Sequence, residues 1–211
     1  MIRFKYLTIG VAFIFFLTGC ETTPEKYEAF EALNPSSILI LPPQNSTNSI
    51  DAHNYLASTL PSAVYSRGYY VFPYNTVKTV FEHEGLTDPG MIHSLPPSKV
   101  ASLFGADAIM YPVVKSWSID YAVLNTYLNL EVDYKILSPE GQEIWAVSKT
   151  FSQPMVDQNH GGGLIGSLIA TAVTQAIVDD EDILPAASRL NHALISTGNT
   201  QIPLKQNAVK E

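Results

Sequence analysis

Apolar and polar side chains alternate without interruption along residues 126–137. Leu128, Leu130, Val132, Tyr134 and Ile136 fall on one side, and Asn129, Glu131, Asp133 and Lys135 on the other. A period of two is that of a strand with one face buried and one face wet. Ser138-Pro139-Glu140-Gly141 then has turn chemistry, with proline at its second position and glycine at its fourth. Residues Glu143 to Phe151 return as the hairpin partner, with Trp145, Val147 and Phe151 alternating with Ile144, Ala146 and Ser148.

Other segments carry different periods. Ser36 to Leu41 ends in four apolar residues and stops at Pro42-Pro43, which suits a strand buried on both faces of a helix-covered sheet. Tyr69 to Phe72, closed by Pro73, and Asp107 to Trp117 are predicted as further strands, and Gln44 to Ser49 as a polar loop. Leu56, Leu60 and Val64 recur at helical spacing, with Pro61 among them predicting a kink or a late start and Gly68 supplying a stop. A shorter helix capped by Asn75-Thr76 carries Val77, Val80 and Phe81 and ends at Gly85. Asp88-Pro89-Gly90 and Leu95-Pro96-Pro97 bracket a connecting region. Ser98 to Phe104 then reads as a helix with Val100, Leu103 and Phe104 inward and Gly105 as its stop. Two more helices are expected, over Leu164–Val178 and around Leu184–Ile195.

The order β-α-β-α-α-β-β-β-α-α predicts an α/β (mixed α+β) fold. Its single mixed parallel/antiparallel sheet of about five strands is flanked by helices, and helices close the chain. Residues 36–197 form the expected domain and 198–211 a polar, flexible tail.

The first residues follow another logic. Arg3 and Lys5 precede an apolar run from Leu7 to Leu17, too short to span a bilayer as a helix. The run ends in Leu17-Thr18-Gly19-Cys20, which resembles the lipobox of bacterial secretion signals. That resemblance implies cleavage after residue 19, with diacylglyceryl and N-acyl lipid carried on Cys20. Cys20 is also the one cysteine of the chain, so no disulfide partner exists for it. Glu21 stands where an inner-membrane retention signal would have aspartate, which implies the outer membrane, facing the periplasm. Residues 20–35, acidic and poor in apolar side chains, read as a tether reaching at most roughly 50 Å.

Composition narrows the function. Of 211 residues 46% are hydrophobic and 15% charged, enough apolar matter for a real core. The formal net charge of −8 falls to about −10 once the two basic residues of the signal are removed, so nucleic acid is excluded as a partner on electrostatic grounds.

An apolar strand closed by proline, then Arg67-Gly68-Tyr69 and Pro73, then Leu103-Phe104-Gly105-Ala106-Asp107-Ala108 before a strand, occur here in series behind a lipobox. In this the chain resembles the periplasmic domains grouped with the N-terminal domain of TolB, CsgG-type secretion lipoproteins and the LpoB activator. More closely it resembles a family of periplasmic lipoproteins of unknown function, often encoded beside a CsgG-like lipoprotein. The resemblance covers residues 36–155 and, for the closer family, the C-terminal helices. It implies protein–protein work at the envelope, with a CsgG-like lipoprotein or a second copy as partner, and it transfers no catalytic residue.

Catalytic and metal motifs do not assemble. His160-Gly161-Gly162-Gly163 resembles an oxyanion loop, but the chain has no G-x-S-x-G elbow. Residues 161–167 have phosphate-loop glycine spacing without the lysine. Glu82-His83-Glu84 lacks the second histidine of a zinc helix, and Asp179 to Asp182 lacks the spacing of a calcium loop. No catalytic, metal or cofactor residue is assigned beyond the lipid. Gly162, Gly166, Ala170 and Thr174 fall every fourth residue, with Ile165, Ile169, Val173 and Ile177 beside them. On a helix they form a smooth ridge that either packs on this chain's own sheet or docks onto a partner. The expected function is a non-catalytic interaction or assembly component of an envelope transport, secretion or cell-wall complex. A hydrolase acting on lipid or glycan is the alternative.

Overall fold

The computed structural model describes residues 27–121, 126–154, 180–196 and 201–205. Elements follow in the order α1 (Glu28–Leu33), β1 (Ser37–Ile40), β2 (Gln44–Asn45), α2 (Ala52–Tyr65), β3 (Tyr70–Val71) and α3 (Tyr74–His83). Then come α4 (Pro89–His93), α5 (Pro97–Phe104), β4 (Ala108–Tyr121), β5 (Thr126–Leu137), β6 (Glu143–Pro154) and α6 (Asp180–Ser196). One mixed sheet runs β3-β1-β4-β5-β6, with β2 also pairing β4. The pairs β3–β1, β1–β4 and β2–β4 are parallel; β4–β5 and β5–β6 are antiparallel.

Two cores lie on opposite faces of this sheet. Ile38 and Ile40 of β1 point into the larger one with Leu128, Leu130, Val132, Tyr134 and Ile136 of β5, under α2 and α6. Leu39, Leu41, Ile109 and Tyr111 point into the second, against Val77 and Phe81 of α3, Ile92 of α4 and Val100 of α5. The alternation read along β5 is therefore its burial pattern. Each large apolar side chain so buried contributes about 1.5–3 kcal/mol.

Two bulges correct the phase of the long strands. Before Lys115, the residues Ala108, Met110 and Val114 face the larger core; after the register shift between Val114 and Ser116, Trp117 and Ile119 do so. A second shift lies where Ile136 pairs with Trp145 and Leu137 with Glu143. It lets the neighbours Ile144 and Trp145 both be buried, where strict alternation would have exposed one of them.

Several expectations need correcting. The body begins before Ser36: residues 28–33 of the expected tether form α1, whose Phe30 is 1% exposed and meets the Tyr69 ring edge-on at 5.8 Å. Within the expected loop, Gln44 and Asn45 pair with Val113 and Val114 as β2. The connecting region holds α4, whose N-terminus is capped by the Asp88 carboxylate accepting from the Met91 amide at 2.9 Å. Helix α2 runs through Pro61. Leu103, expected inward, is 43% exposed.

Nor is the C-terminal stretch loose where it is described. Ile202 is fully buried and its amide bonds the Ile195 carbonyl at 2.9 Å. The Arg67 guanidinium donates to the Ile202 carbonyl at 2.8 Å, and the Tyr69 hydroxyl to the Pro203 carbonyl at 2.7 Å. The Lys205 ammonium donates to the carbonyls of Asn34 and Pro35 at 3.2 and 2.6 Å. On the next residues, the Asp107 carboxylate accepts from the amides of Ser36 and Ser37 at 2.9 and 3.0 Å. Entry segment, strand starts and C-terminus are thus fastened at one pole. Burial pushes the Tyr69 phenol up from 10.0 to about 12, against a smaller lowering by Arg67. The fold thereby favours the neutral phenol; that contribution is complete below pH about 10 and is lost as pH rises towards 12.

A buried polar chain sets α6 against α2 and the sheet. The Tyr134 hydroxyl donates to Asn191 Oδ1 at 2.5 Å, Asn191 Nδ2 donates to Thr59 Oγ1 at 2.7 Å, and Thr59 Oγ1 donates to the Tyr55 carbonyl at 2.8 Å. Tyr134 and Asn191 are fully buried, so each must find its partner within the protein.

Three outcomes follow for stability. Asn191→Ala leaves the buried Tyr134 hydroxyl unpaired beside a void and lowers the unfolding free energy by about 2–4 kcal/mol, read as a lower urea midpoint at unchanged m. Ending the chain at Thr200 removes Ile202 and the Lys205 bonds and costs at least about 3 kcal/mol in the same measurement. Tyr69→Phe reduces the stability lost between pH 10 and 12 in an alkaline titration followed by circular dichroism.

Candidate functional site

Helices α3 and α5 lie side by side on the second core, and a groove of about 420 Å³ opens between them. Phe81 and Val100 make its floor and are almost fully buried. Half-buried Leu86 and Leu95 and exposed Leu103 make its walls. Both flanking helices end in glycines with positive φ, Gly85 at 78° and Gly105 at 69°, and the turn at Gly85 brings Leu86 into the groove wall. Leu103 is exposed because Val100, Ala101 and Phe104 already occupy the inward side of α5.

The mouth is charged. Lys99 lies one turn before Leu103 on α5, Glu84 lies just past α3, and both are exposed. Among the described residues neither forms an ion pair; the two that exist are Lys78–Glu82 at 3.8 Å and Lys115–Asp133 at 3.3 Å. From the floor an aromatic strip leads to the edge of the sheet. Phe81 and Phe104 lie 5.4 Å apart between ring centroids, Phe104 and Phe72 6.1 Å, and Phe72 and Tyr70 5.1 Å. Tyr70, on edge strand β3, is 58% exposed.

Polar groups elsewhere are mostly spent on one another. On the outer face of β4–β6, Asp133 holds Lys115 and accepts from the Ser148 hydroxyl at 2.5 Å, while Asn129 donates to Asp120 at 2.6 Å. His93 bonds the Pro42 carbonyl at 2.9 Å, and burial is the main cause that lowers its pKa. Glu82 is engaged with Lys78, and His83 is exposed on the same helix. Among the described residues no three His, Cys, Asp or Glu side chains converge as metal ligands.

One contact has the elements of a hydrolytic pair: Ser62 Oγ and His192 Nε2 are 3.2 Å apart. It joins the surfaces of α2 and α6, beside a Ser66–Ser196 contact at 3.1 Å. Ser62 sits inside α2, where backbone amides are consumed by the helix ladder and none is free to hold an oxyanion. Among the described residues His192 donates to no carboxylate, so none orients the imidazole for proton transfer.

Cys20 lies outside the described residues, as do the ridge positions Gly162, Gly166, Ala170 and Thr174 and their neighbours Ile165, Ile169, Val173 and Ile177. The groove, in turn, is absent from the sequence reading. Its signal was the adjacent pair Leu103-Phe104, wider than the inward face of so short a helix.

Known proteins bear on this arrangement. Residues 25–205 match the family model described as "Putative lipoprotein GNA1162-like". The chain is 29% identical over 175 residues to "Putative lipoprotein NMB1124/NMB1162" of Neisseria meningitidis serogroup B, covering 81% of this chain and 80% of that one. The crystal structure of lipoprotein GNA1162 from Neisseria meningitidis superimposes with a TM-score of 0.53 at 30% identity, over 67% of this chain and 98% of its own. A weaker likeness, with a TM-score of 0.42 at 17% identity over 59% of this chain and 93% of the other, is to the LpoB C-terminal domain from Salmonella enterica. With most of its length matched by one family model, and the fold shared with a solved member, the chain belongs to the GNA1162-like lipoprotein family.

Proposed function

We propose that this lipoprotein is held at the outer membrane, facing the periplasm, by acyl chains on Cys20. There it serves as a non-catalytic interaction or assembly component of an envelope transport, secretion or cell-wall complex. The observation that carries this reading is how polar groups are used. Among the described residues, the close approaches of hydroxyl, amide and charged side chains mostly fasten the fold, while the groove between α3 and α5 is lined mainly by hydrocarbon, with Glu84, Lys99 and Ser102 beside it. A catalytic site needs the reverse, titratable groups converging on a space for substrate.

The sheet gives the molecule two poles. The pole with the Asn34–Lys205 contacts also holds the starts of β1, β4 and β6, and β6 runs from there through twelve residues to Pro154. At about 3.3 Å per residue that is about 40 Å. Strand β6 therefore ends at the pole remote from Asn34, and Gly162, Gly166, Ala170 and Thr174, later in the chain, lie outside the described residues. Their small-residue spacing in the sequence supports the ridge as a protein contact, with a CsgG-like lipoprotein or a second copy as the candidate partner.

The Ser62–His192 contact is the one observation on the side of a hydrolase. Among the described residues it has neither an oxyanion donor nor an orienting carboxylate, which weighs against that reading.

The test is crosslinking on intact cells followed by identification of the products. Wild-type chain should yield discrete adducts with an envelope protein or with itself. Cys20→Ser should release the chain from the membrane fraction and lose those adducts, and Gly166→Leu should lose them while staying in the membrane. Adducts unchanged in Gly166→Leu would remove the ridge as the contact. Ester or glycan hydrolysis abolished by His192→Ala would replace the binding role by an enzymatic one.

A further inference from the structure

We propose that the groove between α3 and α5 binds a zwitterionic single-chain amphiphile, a lysophospholipid of the ethanolamine type. Its alkyl chain would lie along Leu86, Leu95 and Leu103, above the buried Phe81 and Val100, with its phosphate at Lys99 and its ammonium at Glu84. This rests on the groove and, for the source of the lipid, on the membrane anchoring proposed above, and not on the identity of any protein partner.

Three observations carry it. The first is shape and lining. A volume of about 420 Å³ lies at the small end of the range of about 300–1,000 Å³ over which proteins hold small molecules. Phe81, Val100, Leu86, Leu95 and Leu103 supply hydrocarbon, and Glu84, Lys99 and Ser102 supply the polar part of the lining. Such a space gives an alkyl chain contact on several sides and confines polar recognition to those three residues.

The second observation is that the apolar wall is uncovered. Helices α3, α4 and α5 use their inward faces on Leu39, Leu41, Ile109 and Tyr111, and Leu103 remains 43% exposed at the lip of a concavity. A scattered exposed leucine is ordinary, but one that walls a groove over a buried phenylalanine lowers its free energy when a hydrocarbon fills the space.

The third observation is charge. The mouth has one cation and one anion, Lys99 from α5 and Glu84 beyond α3, each exposed and without an ion-pair partner among the described residues. A head group of a single sign meets one attractive and one repulsive contact there. A head group with phosphate and ammonium meets two attractive ones, and a protein held against a bilayer is next to a source of such molecules.

The experiment uses the mature, lipidated protein in amphipol and a short-chain lysophosphatidylethanolamine below its micellar concentration, with bound stoichiometry read by native mass spectrometry. One equivalent should bind saturably. Leu103→Asp puts a charge in the wall at an exposed position and should weaken binding at least about tenfold while leaving the urea midpoint unchanged. Lys99→Gln and Glu84→Gln, both at exposed surface positions, should each weaken it severalfold. Lysophosphatidylglycerol, which lacks the ammonium, should bind more weakly than the ethanolamine lipid to wild type and gain relative to it in Glu84→Gln. The proposal is overturned if uptake is absent or unsaturable, or if Leu103→Asp leaves it unchanged. It is equally overturned if the two lipids bind alike, or if a Leu-Phe dipeptide displaces the lipid at lower concentration, which would make the groove a peptide site.

Discussion

Strand β1 is buried on both faces, and the rest of the molecule is arranged around that requirement. Ile38 and Ile40 go to one core and Leu39 and Leu41 to the other, all four at most 2% exposed. A strand of this kind is stable only with a layer of helices on each side, so α2 and α6 must cover one face and α3, α4 and α5 the other. Its backbone must also be paired on both edges, which β3 and β4 supply. Further along, β5 and β6 leave the second helix layer behind, and their outer face is wet and polar. The chain therefore changes from three layers to two across one sheet, and the groove between α3 and α5 lies within the helix layer that is confined to the β1 side.

The ends of the chain are part of the same solution. Ile202 fills the larger core, Arg67 and Tyr69 hold the backbone beside it, and Lys205 reaches the segment that leads into β1. Asp107 then binds the first two residues before and within that strand. The segment that leads into β1 is thus bound to the sheet and to the C-terminus at once.

Function follows from which surfaces are left over. Among the described residues, many hydroxyls, amides and charges hold α6 to α2, the C-terminus to the entry segment, and one strand to the next. The groove wall at Leu103 and the strip that ends at Tyr70 are exposed and apolar, with Lys99 and Glu84 beside the groove. The chain's acidic surface limits non-specific adherence to anionic lipid.

Whatever depended on neighbours in the sequence could be read from it. The strict alternation along β5, the two-faced run of β1, the Pro139–Gly141 turn and the glycine stops at residues 68, 85 and 105 are local rules, and each governs the backbone where it stands. The lipobox-like run ending at Cys20 and the small-residue ridge are also sequence patterns, and both lie outside the described residues. What only tertiary structure decided are matters of who covers whom. Phe30 looked like part of a tether because its partner Tyr69 is far away in sequence, and the polar C-terminus looked loose because the sites that bind it belong to Arg67, Tyr69 and Asn34. The bulge at Lys115 could have been seen in the shift of apolar positions from even to odd along β4, yet its cause is pairing with β5. Leu103 marks the limit most clearly: helical spacing told which side of α5 is apolar, but exposure is set by the width of the layer beneath, which no single helix encodes.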